Sequence, residues 1–63
     1  MVELIIEHWS NPDGSSHFLW SVWRDGKRVE MGRPTVDAQA AEQAGGQWCW
    51  RVLKSPPDRI TRL

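Results

Sequence analysis

The chain has 63 residues, eight Lys plus Arg against eight Asp plus Glu, and a net charge of zero. That length allows one domain, and a chain of this size buries only about 60% of the surface its unfolded form exposes, so its stability margin is thin. A neutral total argues against a dedicated nucleic-acid binder, which carries a basic excess. The longest apolar run near the amino terminus, Leu4-Ile5-Ile6, is far too short to span a bilayer.

Cys49 is the single cysteine, so no intrachain disulfide staples the fold. One unpaired thiol, with Glu3 and Glu7 where a secretory signal needs bases, points to a cytoplasmic protein. Five tryptophans (Trp9, Trp20, Trp23, Trp48, Trp50) accompany one Phe and no Tyr. A buried Trp hides about 150–250 Å², worth roughly 4–6 kcal/mol. That is large beside a net stability of roughly 3–9 kcal/mol at this size. The indoles therefore either supply core area or form a recognition surface.

Residues 2–9 alternate as a strand, with Val2, Leu4, Ile6 and His8 on one side and Glu3, Ile5, Glu7 and Trp9 on the other. The turn formers of residues 10–16 close a hairpin onto a second strand, residues 17–24. Asp25-Gly26 then predicts a type I′ turn into a third strand, residues 27–32. Thr35 is the expected N-cap of a helix over residues 36–44, with Val36, Ala40, Ala41 and Ala44 on one face and Gly45-Gly46 as its stop. Residues 47–54 are expected as a fourth strand, with Trp48, Trp50 and Val52 under the helix. Residues 1–55 are then one compact domain and residues 56–63 a carboxy-terminal tail.

The expected fold is α+β, a four-stranded mixed sheet with one helix on one face, in the order β-β-β-α-β, with sheet order 3-2-1-4 and a right-handed crossover. A two-residue turn at Asp25-Gly26 would pair Val22 with Val29 and Trp20 with Met31. Pairing Ile6 with Trp20 sets Leu4 opposite Val22 and His8 opposite Phe18. The helix-covered face then collects Leu4, Ile6, Phe18, Trp20, Val22, Val29 and Met31. Charge is polarised along the chain. Residues 1–16 hold Glu3, Glu7 and Asp13 with no base (−3), and residues 48–63 hold Arg51, Lys54, Arg59 and Arg62 against Asp58 (+3). This suggests either that the first and last strands meet, with Glu3 and Glu7 near Arg51, or that the carboxy-terminal end carries a basic patch.

One helix covers one side of a sheet. The other side, with Ile5, Trp9, Leu19, Trp23, Cys49 and Leu53 among Arg28, Arg51 and acids, is the candidate surface, because contiguous apolar area rimmed by polar groups marks a partner. Trp and Arg are enriched at binding hot spots. The expected contact residues are Trp9, Leu19, Trp23, Arg28 and Arg51, with Trp23 facing Arg28 across the strands. The function expected from this is a small non-enzymatic interaction module that binds a protein partner or itself. The competing structural expectation is that the tail folds over this face through Ile60 and Leu63.

Two alternative functions stand beside it: a nucleic-acid-binding module using the same tryptophans with Lys54, Arg59 and Arg62, and a small regulatory or inhibitory protein of a mobile element. The segment from Trp20 to Ala41 loosely resembles the three-strands-then-helix pattern of arm-type integrase DNA-binding domains, through Trp20-Ser21-Val22, Asp25-Gly26, Gly32, Thr35 and the alanines of residues 38–41. The resemblance implies DNA contact through the strands, where this chain carries the acids Asp25 and Glu30.

No cofactor, metal or catalytic site is expected. His8 and His17 fall on opposite faces, and a zinc site needs about four converging ligands. Cys49 lies between two tryptophans, and a lone Cys is usually a small buried hydrophobe. Ser15, Ser16, Asp13 and His17 share one turn, where hydroxyls cap the backbone. Gly45-Gly46 follows a helix, whereas phosphate sites precede one.

Overall fold

A computed structural model describes residues 1–63. Strands β1 (Val2–Ser10), β2 (Ser16–Arg24) and β3 (Lys27–Met31) are followed by helix α1 (Ala38–Trp48), a π-helical turn (Cys49–Leu53) and strand β4 (Arg59–Arg62). The four strands form one mixed sheet in the order β3-β2-β1-β4. The architecture is the expected α+β arrangement. No helix is long and apolar enough to cross a membrane.

The β1–β2 hairpin has the register its apolar pattern requires. Leu4 faces Val22, Ile6 faces Trp20 and His8 faces Phe18, with the last two rings stacked 4.6 Å apart. The Asp25-Gly26 turn has positive φ at both residues, 52° and 82°, the conformation of a type I′ turn.

Beyond this turn the structure departs from the expected register. Trp23 does pair with Arg28, but a bulge follows, and Val22 pairs with Glu30 and Ser21 with Met31. One extra residue in a strand exchanges the faces of all that follow. Met31 therefore leaves the helix-covered face for the opposite one, and Val29 does not pair with Val22. Both side chains are exposed. The chain after β3 still follows β2. Gly32 donates its N–H to the Trp20 carbonyl, and Thr35 exchanges two backbone bonds with Phe18. A Cβ on Gly32 would fall 1.9 Å from the Trp20 indole, so only glycine lets the backbone close over that ring.

The second half of the chain is assigned differently from expectation. Asp37, not Thr35, caps the helix, its Oδ1 accepting the Ala40 N–H at 2.7 Å. The Thr35 hydroxyl donates instead to the carbonyls of Phe18 and Asp37. Val36 lies outside the helix and is exposed. The helix runs through Gly45 and Gly46, each of which costs roughly 1 kcal/mol of helix propensity. Packing explains why it does so. Ala41, Gly45 and Cys49 recur at a spacing of four, and all three are buried against β1 and β2. Ala38, Ala44, Trp48 and Leu53 flank them.

Residues 47–54 thus form helix and π turn rather than a strand. The π turn's wider winding keeps Leu53 over the core, and Lys54 ends it at φ 63° before Ser55-Pro56-Pro57. Trp48, expected in a strand under the helix, instead ends the helix and packs half-buried at the edge of the core, while Trp50 (59% exposed) and Val52 point outward. The fourth strand comes from residues 59–62, within the segment expected as a tail. It lies parallel to β1, with Glu3 beside Arg59 and Ile5 beside Thr61. Asp58 holds the start of this pairing through both its N–H and its side chain to Val2. Leu4, Ile6, Trp20, Val22, Ala41 and Cys49 form the core between sheet and helix.

Candidate functional site

Because α1 packs on one side only, the opposite face of the sheet is open. By register it collects Glu3, Ile5, Glu7 and Trp9 from β1, and His17, Leu19, Ser21 and Trp23 from β2. Arg28 and Met31 come from β3, and Arg59 and Thr61 from β4. The carboxy-terminal segment joins the sheet edge instead of crossing this face. The structure therefore does not bear out coverage by Ile60 and Leu63.

Four of the five expected contact residues share the face. Trp9 lies at the loop end, opposite His17, and is 50% exposed. Leu19 is half-buried opposite Glu7. Trp23 is half-buried, with its indole N–H donating to the Ser21 hydroxyl at 2.9 Å. That bond tilts the ring across Ser21 and accounts for the burial of this small polar residue at the centre of the face. Arg28 is exposed beside Trp23, and its Nη1 lies 3.8 Å from Met31 Sδ.

Arg51 is the exception. It belongs to the π turn on the helix side of the molecule and is exposed there. The base beside Glu3 is Arg59, whose Nε donates to Glu3 Oε2 at 3.2 Å. Cys49 and Leu53, also expected on the open face, pack into the core from the helix side. Burial pushes the Cys49 thiol above its ordinary value of 9.0, which suppresses thiolate chemistry.

At the end of the face near the Asp25-Gly26 turn lies a hollow of about 320 Å³. Met1, Ile5 and Trp23 form its apolar part, and Glu3, Asp25 and Arg59 border it. Glu3 Oε2 also accepts the Thr61 hydroxyl at 2.6 Å. The Thr61 bond first, then Arg59, holds the Glu3 carboxyl below its ordinary value of 4.5. Asp25 is likewise lowered, by the hydrogen bond and charge of the Met1 amine 2.8 Å away.

Sequence reasoning named Arg59 for this face only in the nucleic-acid alternative, and missed Thr61 and Met31 as its members. The alternation of Arg59-Ile60-Thr61-Arg62, with two β-branched residues, was a usable signal for Arg59 and Thr61. No signal marked the bulge that moved Met31.

The other polar clusters have structural partners. Ser15 donates its hydroxyl and its N–H to Asp13 Oδ1, a turn arrangement that lowers the Asp13 carboxyl. His17 Nδ1 lies 2.9 Å from Asn11 Oδ1 in the same loop. No three His, Cys, Asp or Glu side chains converge in a way that could hold a metal ion. No protein-family model matches the chain, and no curated protein or solved structure matches it significantly.

Proposed function

We propose that this chain is a small non-enzymatic interaction module that binds a protein partner, or a second copy of itself, through the helix-free face of its sheet. The observation that carries this reading is the placement of Trp9, Leu19 and Trp23 with Ile5 and Met31 on a face no other element covers. An apolar patch rimmed by charged groups loses its unfavourable hydration only when something packs on it. Trp23 and Trp9 are the anchors, and Leu19 and Arg28 are contact residues. Arg51 lies on the opposite side of the molecule and is no part of this surface.

The non-enzymatic part of the reading is supported by the side chains most able to react. Cys49 is enclosed in the core and the Ser15 hydroxyl is committed to Asp13. The protein partner is favoured over nucleic acid because Glu3 and Glu7 share the face with Arg28 and Arg59, so it carries no basic excess for phosphates.

The test is Trp23→Ala. A half-buried indole contributes little to the core, so the melting temperature should stay within a few degrees of wild type. Association should weaken about tenfold or more, as for a hot-spot aromatic. Association that survives both Trp23→Ala and Trp9→Ala would overturn the reading.

A further inference from the structure

The charges on the open face are not all matched within the chain. Glu3 is paired with Arg59, and Asp25 at the adjoining turn with the Met1 amine. The Glu7 carboxylate makes no hydrogen bond or ion pair, and the Arg28 guanidinium, beside Trp23, has only the Met31 sulfur as a hydrogen-bond partner. One unpaired acid and one unpaired base thus remain, at opposite corners of the apolar patch. Ser21 lies near the midpoint of the line joining them: Arg28 is on the strand to one side, one row towards the Asp25 turn, and Glu7 is on the strand to the other, one row further away.

From this arrangement we infer that the face is self-complementary and that its occupant is a second copy of this chain, related by a two-fold axis lying in the interface beside Ser21. The inference rests on the proposed role of this face. A two-fold interface brings residue i against j and j against i. An axis perpendicular to the line from Arg28 to Glu7 sets each Arg28 over Glu7 of the other copy. The strand spacing and rise then lay Trp23 over Ile5 of the other copy and leave Trp9 flanking its Arg28. The two sheets cross steeply, close to the orthogonal mode of sheet packing. The Glu3–Arg59 pairs fall near the axis at the rim, each neutral in itself.

Size agrees with a weak dimer. A face three strands wide and four residue rows long covers roughly 400 Å² in projection. Because two such faces cross steeply and overlap mainly at their centres, they bury at most about 800 Å² in total, the size of a weak, transient contact. A dissociation constant of about 1–100 µM is the expected range.

The experiment is sedimentation equilibrium on wild type, Arg28→Glu, Glu7→Arg, the double exchange and Trp23→Ala, with circular dichroism confirming that each is folded. Wild type should pass from monomer to dimer in the micromolar range. Each single reversal places like charges together and should weaken the dimer about tenfold or more. An equimolar mixture of Arg28→Glu and Glu7→Arg should regain dimer mass, because in that heterodimer both pairs are again opposite in sign. The double exchange should dimerise alone, and it carries the same decision if a single variant does not fold. A wild type that stays monomeric at millimolar concentration overturns the inference and leaves the face to a different protein. A dimer lost in Trp23→Ala but indifferent to the reversals overturns the pairing while the role of the face stands. A dimer indifferent to all the substitutions overturns both.

Discussion

Gly45 lies directly on Leu4: a Cβ at position 45 would fall 2.4 Å from Leu4 Cδ1, inside any permitted contact. Leu4 is fully buried between the strands and the helix, so its methyl has nowhere to retreat. The neighbouring glycine is different, since a Cβ on Gly46 meets nothing within 4 Å. The same substitution should therefore have opposite signs one residue apart. Gly46→Ala should stabilise by about 0.5–1 kcal/mol through helix propensity. Gly45→Ala gains the same propensity but overpacks the core, for a net loss of about 1–2 kcal/mol. Paired denaturant titrations decide it, and two stabilised variants would contradict the close contact.

The Trp20 indole is enclosed by Gly32 on one side and the core on the other. Trp20→Ala should cost about 3–5 kcal/mol, comparable to the whole stability of a chain this small. Gly32→Ala drives a methyl into the ring and should be destabilising too. A folded, cooperatively melting Trp20→Ala variant would show that this side chain is not the centre of the core.

Glu3 predicts an acid-side loss of stability. Its carboxyl is held below its ordinary value of 4.5 by Thr61 and Arg59. A lowered folded-state value means that the stabilisation is fully present above the ordinary value and disappears as pH falls through the folded-state value. The melting temperature should therefore decline as pH drops below about 4.5. Asp13 and Asp25 are lowered as well and contribute in the same direction. The difference between wild type and Glu3→Gln isolates Glu3, and the two profiles should converge at the acid end. Parallel profiles would mean that the Glu3–Thr61–Arg59 cluster contributes nothing to folding.

Cys49 should be inert in the native state. It has no accessible surface and its thiol is raised by burial. Labelling with a maleimide in native buffer should be slow and should accelerate with denaturant in step with global unfolding. Prompt labelling at low denaturant would instead indicate that the π turn opens on its own.

The first half of the chain was legible because its signals are local. Period-two alternation in residues 2–9 and 17–24, with Asp25-Gly26 between matched runs, specifies both hairpins and hence the face on which Trp9, Leu19 and Trp23 lie. The bulge after Trp23 was not legible, since nothing in Lys27-Arg28-Val29-Glu30-Met31 marks an unpaired residue. The second half misled because local preference and global packing disagree. Gly45-Gly46 read as a helix stop and Trp48-Cys49-Trp50 as a strand, yet helical spacing places Ala41, Gly45 and Cys49 together on the core.

Of the five tryptophans, the sequence by itself determined three: Trp20 to the core, and Trp9 and Trp23 to the open face, because a strand has only two sides and the hairpin turns set the register. Only the tertiary structure decided the rest. It left Trp48 half-buried, turned Trp50 to the surface, exchanged Arg51 for Arg59 beside Glu3, and made a strand of residues 59–62. The physical reason is that these outcomes depend on contacts distant in sequence. Gly45 against Leu4 and Arg59 against Glu3 outweigh local propensities worth about 1 kcal/mol each.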